Sequence, residues 1–403
     1  MSRRSEGGSP RTVPGLSSTR SGPSRILHLI DTKGPGGAET VFLTLIKSLG
    51  PEWESIPVVA GPGWVEDSVR EAGFTPLMIP FSSGPFDLPY LRQLSRTIRE
   101  QRIDLIQTHL LSTTLYGGIA GSLRHVPVVG TFHGDPDLRA TGWQGRVRYG
   151  LIRTCTTRVV CVSSSLKART MAHTGFSEED LVVIPNGIDT EIFRPGEGRR
   201  LREELGIAPE VLLVGSVGNV RPAKDYQTLL RTAHRVKAVM GPKVKFVVAG
   251  QRTRPLFDEL ESLQRELELE DTVEFLGFRD DIPELLRALD LLLLSSSHEG
   301  FSLVVVQAMA TGLPVVSTRC GGPEEIFADE REGLFCPPGD PEALAAGILR
   351  LKRDSAGRRN MGEKGRNTAE RHFSVGAMVR AYESLYRQLV RVKVEPGQER
   401  TIS

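Results

Sequence analysis

The sequence has few cysteines, no long apolar run and almost no net charge. Its four cysteines form no Cys-x-x-Cys pair, so neither a disulfide framework nor a zinc site is predicted, and a reducing cytoplasm is the expected location. No apolar run reaches the roughly 20 residues that a membrane span needs. The arginine-containing N-terminus lacks the apolar segment of a secretory signal. A net charge of +2 gives no field that attracts nucleic acid, and no nucleic-acid partner is expected.

Short apolar runs alternate with helix-like segments along most of the chain. The runs are residues 26–30, 56–60, 77–79, 104–108, 126–130, 158–162, 181–184, 211–217, 244–249, 272–275, 290–294, 314–317 and 333–335. This alternation predicts βαβ units. Runs that are apolar throughout are typical of parallel strands buried on both faces. The predicted fold class is α/β, with two Rossmann-like, doubly wound domains facing each other across a cleft.

Changes in composition mark the predicted domain boundaries. Pro, Gly and charged residues interrupt the alternation between Ile184 and Gly198, and such residues are turn signals. The predicted units are a disordered tail at 1–24, domains at 25–190 and 191–372, a helix at 373–392 that packs back toward the first domain, and a tail at 393–403. Tandem domains of this kind bind ligands where the carboxyl ends of both sets of strands face one crevice.

The most informative cluster follows the apolar run at 290–294. The sequence SSSHEGFSLVVVQAMA at 295–310 passes from small polar residues through a Glu-Gly turn into an apolar helix. A helix N-terminus presents free N–H groups that suit a pyrophosphate. Glu299 beside it can accept hydrogen bonds from sugar hydroxyls, and Gln307, about two helical turns further along, can reach a ribose. The alternative is a capped helix with a solvated glutamate.

A second cluster, at 215–225, also follows a strand and opens a helix. Lys224 is expected in the first helical turn, where the helix dipole disfavours a cation. This local conflict suggests a functional role, the neutralisation of a leaving diphosphate. The alternative is a solvated lysine on a polar loop.

Further polar or glycine-rich segments follow strands of the first half. Gly34 to Glu39 allows close backbone approach but lacks the full dinucleotide-binding pattern Gly-x-Gly-x-x-Gly. His109 and His133 end neighbouring strands, which favours a functional role for both. Asp135-Pro136-Asp137 matches an Asp-x-Asp metal pattern that short segments also match by chance. We interpret it as a loop or acceptor-side feature, and no essential metal is expected.

Residues 138–177 contain seven Arg or Lys residues and no Asp or Glu, with Trp143 and Tyr149 among them. A basic amphipathic surface of this kind can hold a peripheral protein on an anionic membrane. The alternative is a solvated helix face.

Taken in order, the clusters resemble the retaining glycosyltransferases of family four, which have the GT-B fold. The resemblance runs from about Arg25 to the C-terminal helix. The matching pieces are GGAE at 36–39, TFHG at 131–134, VSSS at 162–165, IPNGID at 184–189, the Lys224 loop, FLGF at 275–278, the segment at 295–316, GGPEEI at 321–326 and GLFCPPGDPEALA at 333–345.

This resemblance implies a retaining hexosyltransferase of polysaccharide or cell-envelope biosynthesis that uses a nucleoside-diphosphate sugar as co-substrate, with no cofactor or metal. It implies donor binding by the second domain and acceptor binding by the first. The implied catalytic residues are His133, Lys224 and Glu299. The implied donor-binding residues are Gly36, Gly37, Asn219, Arg221, Lys224, Gly277, Phe278, Arg279, Glu299, Gly300, Phe301, Ser302, Leu303 and Gln307. The acceptor side has His109, His133 and Asp135.

Two positions depart from the family pattern. Gln307 stands where the family has a second glutamate, and it loses the charge-assisted part of a hydrogen bond to ribose. Asn219 stands where the family has an arginine, and Arg221 is the candidate substitute. These departures keep open the alternative of a degenerate nucleotide-sugar-binding protein. A second alternative is a different enzyme class on the same fold, a sugar-nucleotide epimerase.

Overall fold

The computed structural model describes residues 22–81, 87–138 and 140–390, without the side chains of Asp135 and Pro136. Residues 1–21 of the predicted first tail and all of the predicted tail at 393–403 lie outside these ranges. Strand β1 begins at Ser24, within the span assigned to the first tail.

The described ranges contain thirteen strands and fourteen α-helices. The strands are β1 Ser24–Leu29, β2 Trp53–Val59, β3 Leu77–Met78, β4 Leu105–His109, β5 Val128–Phe132, β6 Arg158–Cys161, β7 Leu181–Val183, β8 Leu212–Val217, β9 Val244–Ala249, β10 Val273–Gly277, β11 Leu291–Leu294, β12 Val315–Thr318 and β13 Gly333–Cys336. The helices are α1 Gly37–Ser48, α2 Trp64–Glu71, α3 Leu88–Glu100, α4 Leu111–Arg124, α5 Gly142–Cys155, α6 Ser164–Thr174, α7 Arg199–Glu204, α8 Tyr226–Met240, α9 Leu256–Glu266, α10 Ile282–Ala288, α11 Leu303–Ala310, α12 Pro341–Arg353, α13 Ser355–His372 and α14 Val375–Leu389.

The strands form two parallel sheets, as the alternating pattern predicts. The first has the order β3-β2-β1-β4-β5-β6-β7, and the second has the order β10-β9-β8-β11-β12-β13. The strand order reverses between β1 and β4 in the first sheet and between β8 and β11 in the second. Ligands of doubly wound sheets bind outside the carboxyl ends of the strands at such reversal points. The loops after these four strands are therefore the expected walls of a binding cleft.

The C-terminal helix α14 packs on the first sheet. Met378, Tyr382 and Tyr386 are buried in one cluster with residues of β1, β4 and α1. The Tyr386 hydroxyl donates to Gln107 Oε1 at 2.9 Å. The backbone of Ile188 forms hydrogen bonds with the residues before and after Ser374, and Ile188 N donates to Phe373 O at 2.8 Å. The chain therefore crosses back to the first sheet at this point. The helix ends at Leu389, short of the predicted Val392.

Helix α13 is absent from the sequence predictions. Its buried residues are Met361, Gly362, Gly365 and Ala369, so the face that packs on α11 is made mainly of small residues. A Cβ at Gly362 would lie 2.0 Å from the carbonyl oxygen of Gly312. The helix therefore shows no periodic pattern of large apolar residues, which is the signal that predicts an amphipathic helix.

Candidate active site

An ion pair joins the loops that follow β8 and β11. Lys224 Nζ lies 2.7 Å from Glu299 Oε1, and the Ser296 hydroxyl donates to the same oxygen at 2.7 Å. The two charged side chains are only 20% and 13% exposed. Burial acts to lower the pKa of Lys224, but the charge of Glu299 outweighs it, so the pKa is raised and the ammonium group remains charged. The pair therefore fixes one ammonium group and one carboxylate side by side at the reversal point of the second sheet.

Backbone contacts hold the two loops of the ion pair together. The Ser295 hydroxyl donates to Lys224 O at 2.9 Å, and Ser297 N donates to Ala223 O at 2.8 Å. Lys224 lies in the 3₁₀ turn Pro222–Lys224 rather than in the first turn of α8. The prediction of a helical position is wrong because Asp225, in the left-handed region with φ 45°, separates this turn from the helix and caps it.

The segment from Glu299 to Leu303 offers unpaired donors next to the ion pair. Helix α11 begins only at Leu303, with Ser302 at its N-cap. The backbone N–H groups of Gly300 and Phe301 have no acceptor among the described residues. The buried Ser302 hydroxyl also lacks a partner within those ranges. Buried or cleft-facing donors without acceptors are suited to an anionic or hydroxyl-rich ligand.

Gln307 and the β8 loop supply further predicted donor contacts. Gln307 lies in the second turn of α11, about one turn after the first residue of the helix, Leu303. It is therefore not two helical turns beyond Glu299, because Glu299 precedes the helix. Gln307 is half-buried and makes no side-chain hydrogen bond to another described residue. Arg221 is exposed and forms no ion pair in the described part of the chain. The Asn219 amide donates to Pro35 O at 3.3 Å and accepts from Gln251 N at 2.9 Å.

The predicted loop at Gly277 lies at the end of β10. Gly277 has a φ of 76°, a conformation that favours glycine, and its carbonyl accepts from Gly250 N at 2.8 Å. Phe278 is exposed. The Arg279 guanidinium donates to both carboxylate oxygens of Asp281, at 2.7 and 2.6 Å. Arg279 is thus paired with an acidic neighbour on its own loop, and its role toward a donor stays a prediction.

The glycine loop after β1 faces the second sheet across the cleft. Gly36 is the extended N-cap residue of α1. A Cβ on Gly37 would lie 3.5 Å from Leu303 Cδ1. A Cβ on Gly300 would lie 2.5 Å from His133 O and 2.8 Å from Gly134 Cα. The backbones of the two halves therefore touch beside the ion pair, at a distance that only glycine permits at residue 300.

Two cross-cleft contacts come from residues that sequence reasoning assigned no role. The Ser163 hydroxyl donates to Gly300 O at 2.6 Å. The Glu325 carboxylate accepts from the backbone N–H groups of Ser164 and Ser165, both at 2.6 Å. An acidic side chain at the N-terminus of α6 is favoured by the helix dipole. The sequence analysis uses the VSSS segment at 162–165 and the GGPEEI segment at 321–326 only as matches to the family pattern. Nothing in either sequence predicts that the two segments are in contact.

His109, which is buried, and His133, which is half-buried, form an imidazole pair at the ends of β4 and β5. Their Nδ1 and Nε2 atoms lie 3.0 Å apart, and the rings stack with centroids 5.3 Å apart. Burial lowers the pKa of both groups, that of His133 to about 3. Both rings are therefore neutral at neutral pH, and one donates a hydrogen bond to the other. The two histidines, predicted to end neighbouring strands, thus lie in contact, and their role in the reaction stays a prediction.

The Asp135-Pro136-Asp137 segment forms part of a 3₁₀ turn after β5. The Asp135 side chain lies outside the described part of the structure. Asp137 is fully buried, and its carboxylate accepts hydrogen bonds from three backbone N–H groups. No group of three or more potential metal-ligating side chains occurs within the described residues. The Asp137 carboxylate therefore binds backbone N–H groups of its own region. This arrangement does not support the interpretation of Asp135-Pro136-Asp137 as a metal site.

Comparisons with known proteins agree with this architecture. The model of glycosyltransferase family 4 matches residues 35–192, and that of the group 1 glycosyl transferases matches residues 198–368. N-acetyl-alpha-D-glucosaminyl L-malate synthase of Bacillus anthracis is 28% identical over 77% of this chain and 81% of its own length. The UDP-Gal:alpha-D-GlcNAc-diphosphoundecaprenol alpha-1,3-galactosyltransferase of Escherichia coli is 27% identical over 88% of this chain and 94% of its own.

Solved structures show the same fold. Anabaena Alr3699/HepE, in complex with UDP and glucose, superposes with a TM-score of 0.82 and 24% identity, covering 90% of this chain and 99% of that one. This likeness and the two facing Rossmann-like sheets confirm the GT-B fold. Because the two family models together match most of the chain, one in each half, the protein belongs to the group 1, family 4 glycosyltransferases.

Proposed function

We propose that the chain transfers a hexose from a nucleoside-diphosphate sugar to a glycan or lipid-linked acceptor, with retention of anomeric configuration. The observation that carries the proposal is the Lys224–Glu299 pair at the reversal point of the second sheet, beside the N–H groups of Gly300 and Phe301, which find no acceptor in the described part of the chain. The cation suits the leaving diphosphate, while the carboxylate and the N–H groups suit the sugar. A UDP-sugar is the first candidate donor, because the Escherichia coli relative is named for UDP-Gal and the HepE structure contains UDP.

In this proposal the protein acts through charge and position rather than through a covalent intermediate. Lys224 stabilises the negative charge that develops on the leaving diphosphate. Glu299 accepts hydrogen bonds from donor-sugar hydroxyls, which fixes the reacting carbon at the mouth of the cleft. His133 and the Gly36–Gly37 loop bound the same space from the first sheet. The departing phosphate then takes the proton from an acceptor hydroxyl that attacks the same face of the sugar.

Transfer assays test the proposal directly. The protein is incubated with UDP-, GDP- and ADP-sugars and with lipid-linked oligosaccharide acceptors, and the anomeric configuration of the product is read by nuclear magnetic resonance. A product with the donor's configuration is expected. An inverted product contradicts the proposed retention, and conversion of the donor sugar without any acceptor favours the epimerase. Neither reported relative bears the name of an epimerase.

Removal of metal ions is expected to leave the activity unchanged. Lys224 supplies the positive charge that a divalent cation provides in metal-dependent transferases, and Asp137 is occupied by backbone N–H groups. The check is a transfer rate measured after dialysis against a chelator, compared with a mock-dialysed sample. A rate that falls and returns on addition of Mg²⁺ or Mn²⁺ would contradict this expectation and make Asp135 a candidate metal ligand again.

Helix α5 carries the surface proposed to contact an anionic membrane. Trp143, Val147 and Leu151 are 73%, 51% and 37% exposed, and their spacing of four residues places them on one face of the helix. Arg146 and Arg153 are exposed on the same helix. Tyr149, counted with this surface from the sequence, is buried instead.

An apolar stripe flanked by arginines is suited to the boundary of an anionic bilayer. None of the described helices is long and apolar enough to cross one. The proposed location is the inner face of the cytoplasmic membrane.

We expect the combined Trp143→Ala and Val147→Ser changes to weaken binding to vesicles of phosphatidylglycerol and phosphatidylcholine by about tenfold, because they remove the apolar anchor. Cosedimentation at low and high salt measures this. Val239→Ser on α8 is the control, since Val239 is equally apolar and 63% exposed but lies in the second half. Equal binding of both variants, unaffected by salt, would remove the membrane proposal and leave a solvated helix face.

A further inference from the structure

Asp137 is a buried carboxylate that accepts hydrogen bonds from two different loops. Its Oδ2 accepts from His133 N at 2.6 Å and from Gly134 N at 3.3 Å, and its Oδ1 accepts from Leu111 N at 2.9 Å. The side chain is 1% exposed. Burial raises the pKa of Asp137 to about 7, while the three N–H groups act to lower it. Burying a carboxyl group costs free energy unless its hydrogen bonds compensate, so the three donors account for its presence in this position.

The residues that Asp137 holds form the first-sheet wall of the cleft. Leu111 begins α4 directly after β4, and its neighbour Leu110 has the unfavourable φ of 75°. His133 and Gly134 follow β5, and their backbone atoms are those that a Cβ on Gly300 would meet. One carboxylate therefore joins the ends of β4 and β5 at the place where that wall touches the donor-side loop of the second sheet.

The carbonyl group of Asp137 also anchors helix α5. The Tyr149 hydroxyl donates to Asp137 O at 2.9 Å. Tyr149 lies on the buried face of α5, opposite the exposed stripe at Trp143. The turn at Asp137 is thus fixed both by its side chain and by its backbone.

We infer that Asp137 is a positioning residue for the transfer reaction, which holds the His133–Gly134 backbone against Gly300 where the two walls of the cleft meet. This inference rests on the proposed function. Asp137 itself is not proposed to contact a substrate, since its carboxylate is bound to backbone N–H groups. Its carboxylate offers acceptors to all three N–H groups, whereas an amide of the same shape replaces one acceptor oxygen with a donor and opposes at least one of those groups. The hydrogen bonds that hold the first-sheet wall of the cleft are then weakened, although the volume of the side chain at residue 137 is unchanged.

The test is Asp137→Asn in the full-length protein, measured by steady-state transfer and by UDP-induced thermal stabilisation. We expect kcat to fall about 30-fold, the effect of losing one or two hydrogen bonds to a charged group, and the donor KM to change by less than about threefold, because the donor contacts come from the second sheet. Tyr149→Phe, which leaves the carboxylate in place, is the milder second variant and is expected to lower kcat by about threefold.

Asp340→Asn is the matched control. Asp340 caps α12 by accepting hydrogen bonds from Glu342 N and Ala343 N, so it is also a carboxylate bound to backbone N–H groups, but it lies outside the cleft walls. It is expected to lower the melting temperature while kcat stays unchanged. A wild-type kcat for Asp137→Asn, measured below its melting temperature, would overturn the inference and leave a purely structural role. Absence of transfer by the wild-type protein, in contrast, is a failure of the proposed function.

Discussion

Replacing Lys224 with alanine is expected to lower the transfer rate by about 10² to 10³-fold, the usual effect of removing one preorganised group that stabilises charge in the transition state. Lys224 is the cation of the buried pair with Glu299, and Arg221, the other cation of the same loop, is exposed and unpaired in the described residues. The effect is expected in kcat as well as in the donor KM, because the diphosphate gains charge as the sugar leaves. Steady-state kinetics with a saturating acceptor measure both.

Lys237→Ala separates this effect from the loss of an ordinary ion pair. Lys237 pairs with Asp271 at 2.7 Å, the same distance as in the Lys224 pair, but that pair lies on an exposed face of the second half. Exposed ion pairs contribute about 1 kcal/mol or less, and none of this energy concerns the reaction. We expect wild-type kinetics for Lys237→Ala. A Lys224→Ala protein that is folded and equally active would show that the diphosphate binds elsewhere.

Gly300→Ala is expected to lower the transfer rate by about 10²-fold, because displacing a reacting group by about 1 Å has an effect of that size. The added Cβ would lie 2.5 Å from His133 O and 2.8 Å from Gly134 Cα. Both are backbone atoms, which move only with their whole loop, so the two halves must separate at this point. The Ser163 hydroxyl bond to Gly300 O, at 2.6 Å, then lengthens or breaks.

Gly150→Ala is the matched control for this change. A Cβ at Gly150 meets no atom within 4 Å, and alanine is the better residue inside a helix by about 0.5 to 1 kcal/mol. Its activity is expected to equal that of the wild type. Steady-state kinetics of both variants, with thermal denaturation to show that each is folded, measure this effect. Wild-type kinetics of a folded Gly300→Ala protein would contradict the contact between the two walls.

The fold was predictable because burial on both faces leaves a simple signal. Each strand is a mainly apolar run, such as 244–249 for β9, and each predicted run overlaps a strand of one of the two sheets. Helix α13 could not be found in this way, because its packing face consists mainly of Gly362, Gly365 and Ala369. Small side chains permit close approach of helices but leave no hydrophobic period in the sequence.

The sequence predicted the individual residues of the candidate site better than it predicted the contacts between them. Lys224 and Glu299 were both singled out, since each is a charged residue in a loop that follows a buried strand. That they pair at 2.7 Å depends on the adjacency of β8 and β11, which are separated in sequence by two other strands. Contacts between the halves, such as Glu325 with the start of α6, depend on how the sheets face each other, and no local pattern encodes this.

Lys224 and Glu299 are proposed to hold the diphosphate end and the sugar end of one nucleotide-sugar donor. The most direct measurement is release of nucleoside diphosphate from a panel of UDP-, GDP- and ADP-sugars, by the wild-type and Lys224→Ala proteins, with donor-induced thermal stabilisation recorded in parallel. We predict slow hydrolysis of one donor by the wild type, together with stabilisation by that donor, and loss of hydrolysis in the variant. Hydrolysis that survives in Lys224→Ala, or a wild-type protein that neither hydrolyses nor is stabilised by any donor, would contradict the claim, and the second result would indicate a degenerate protein.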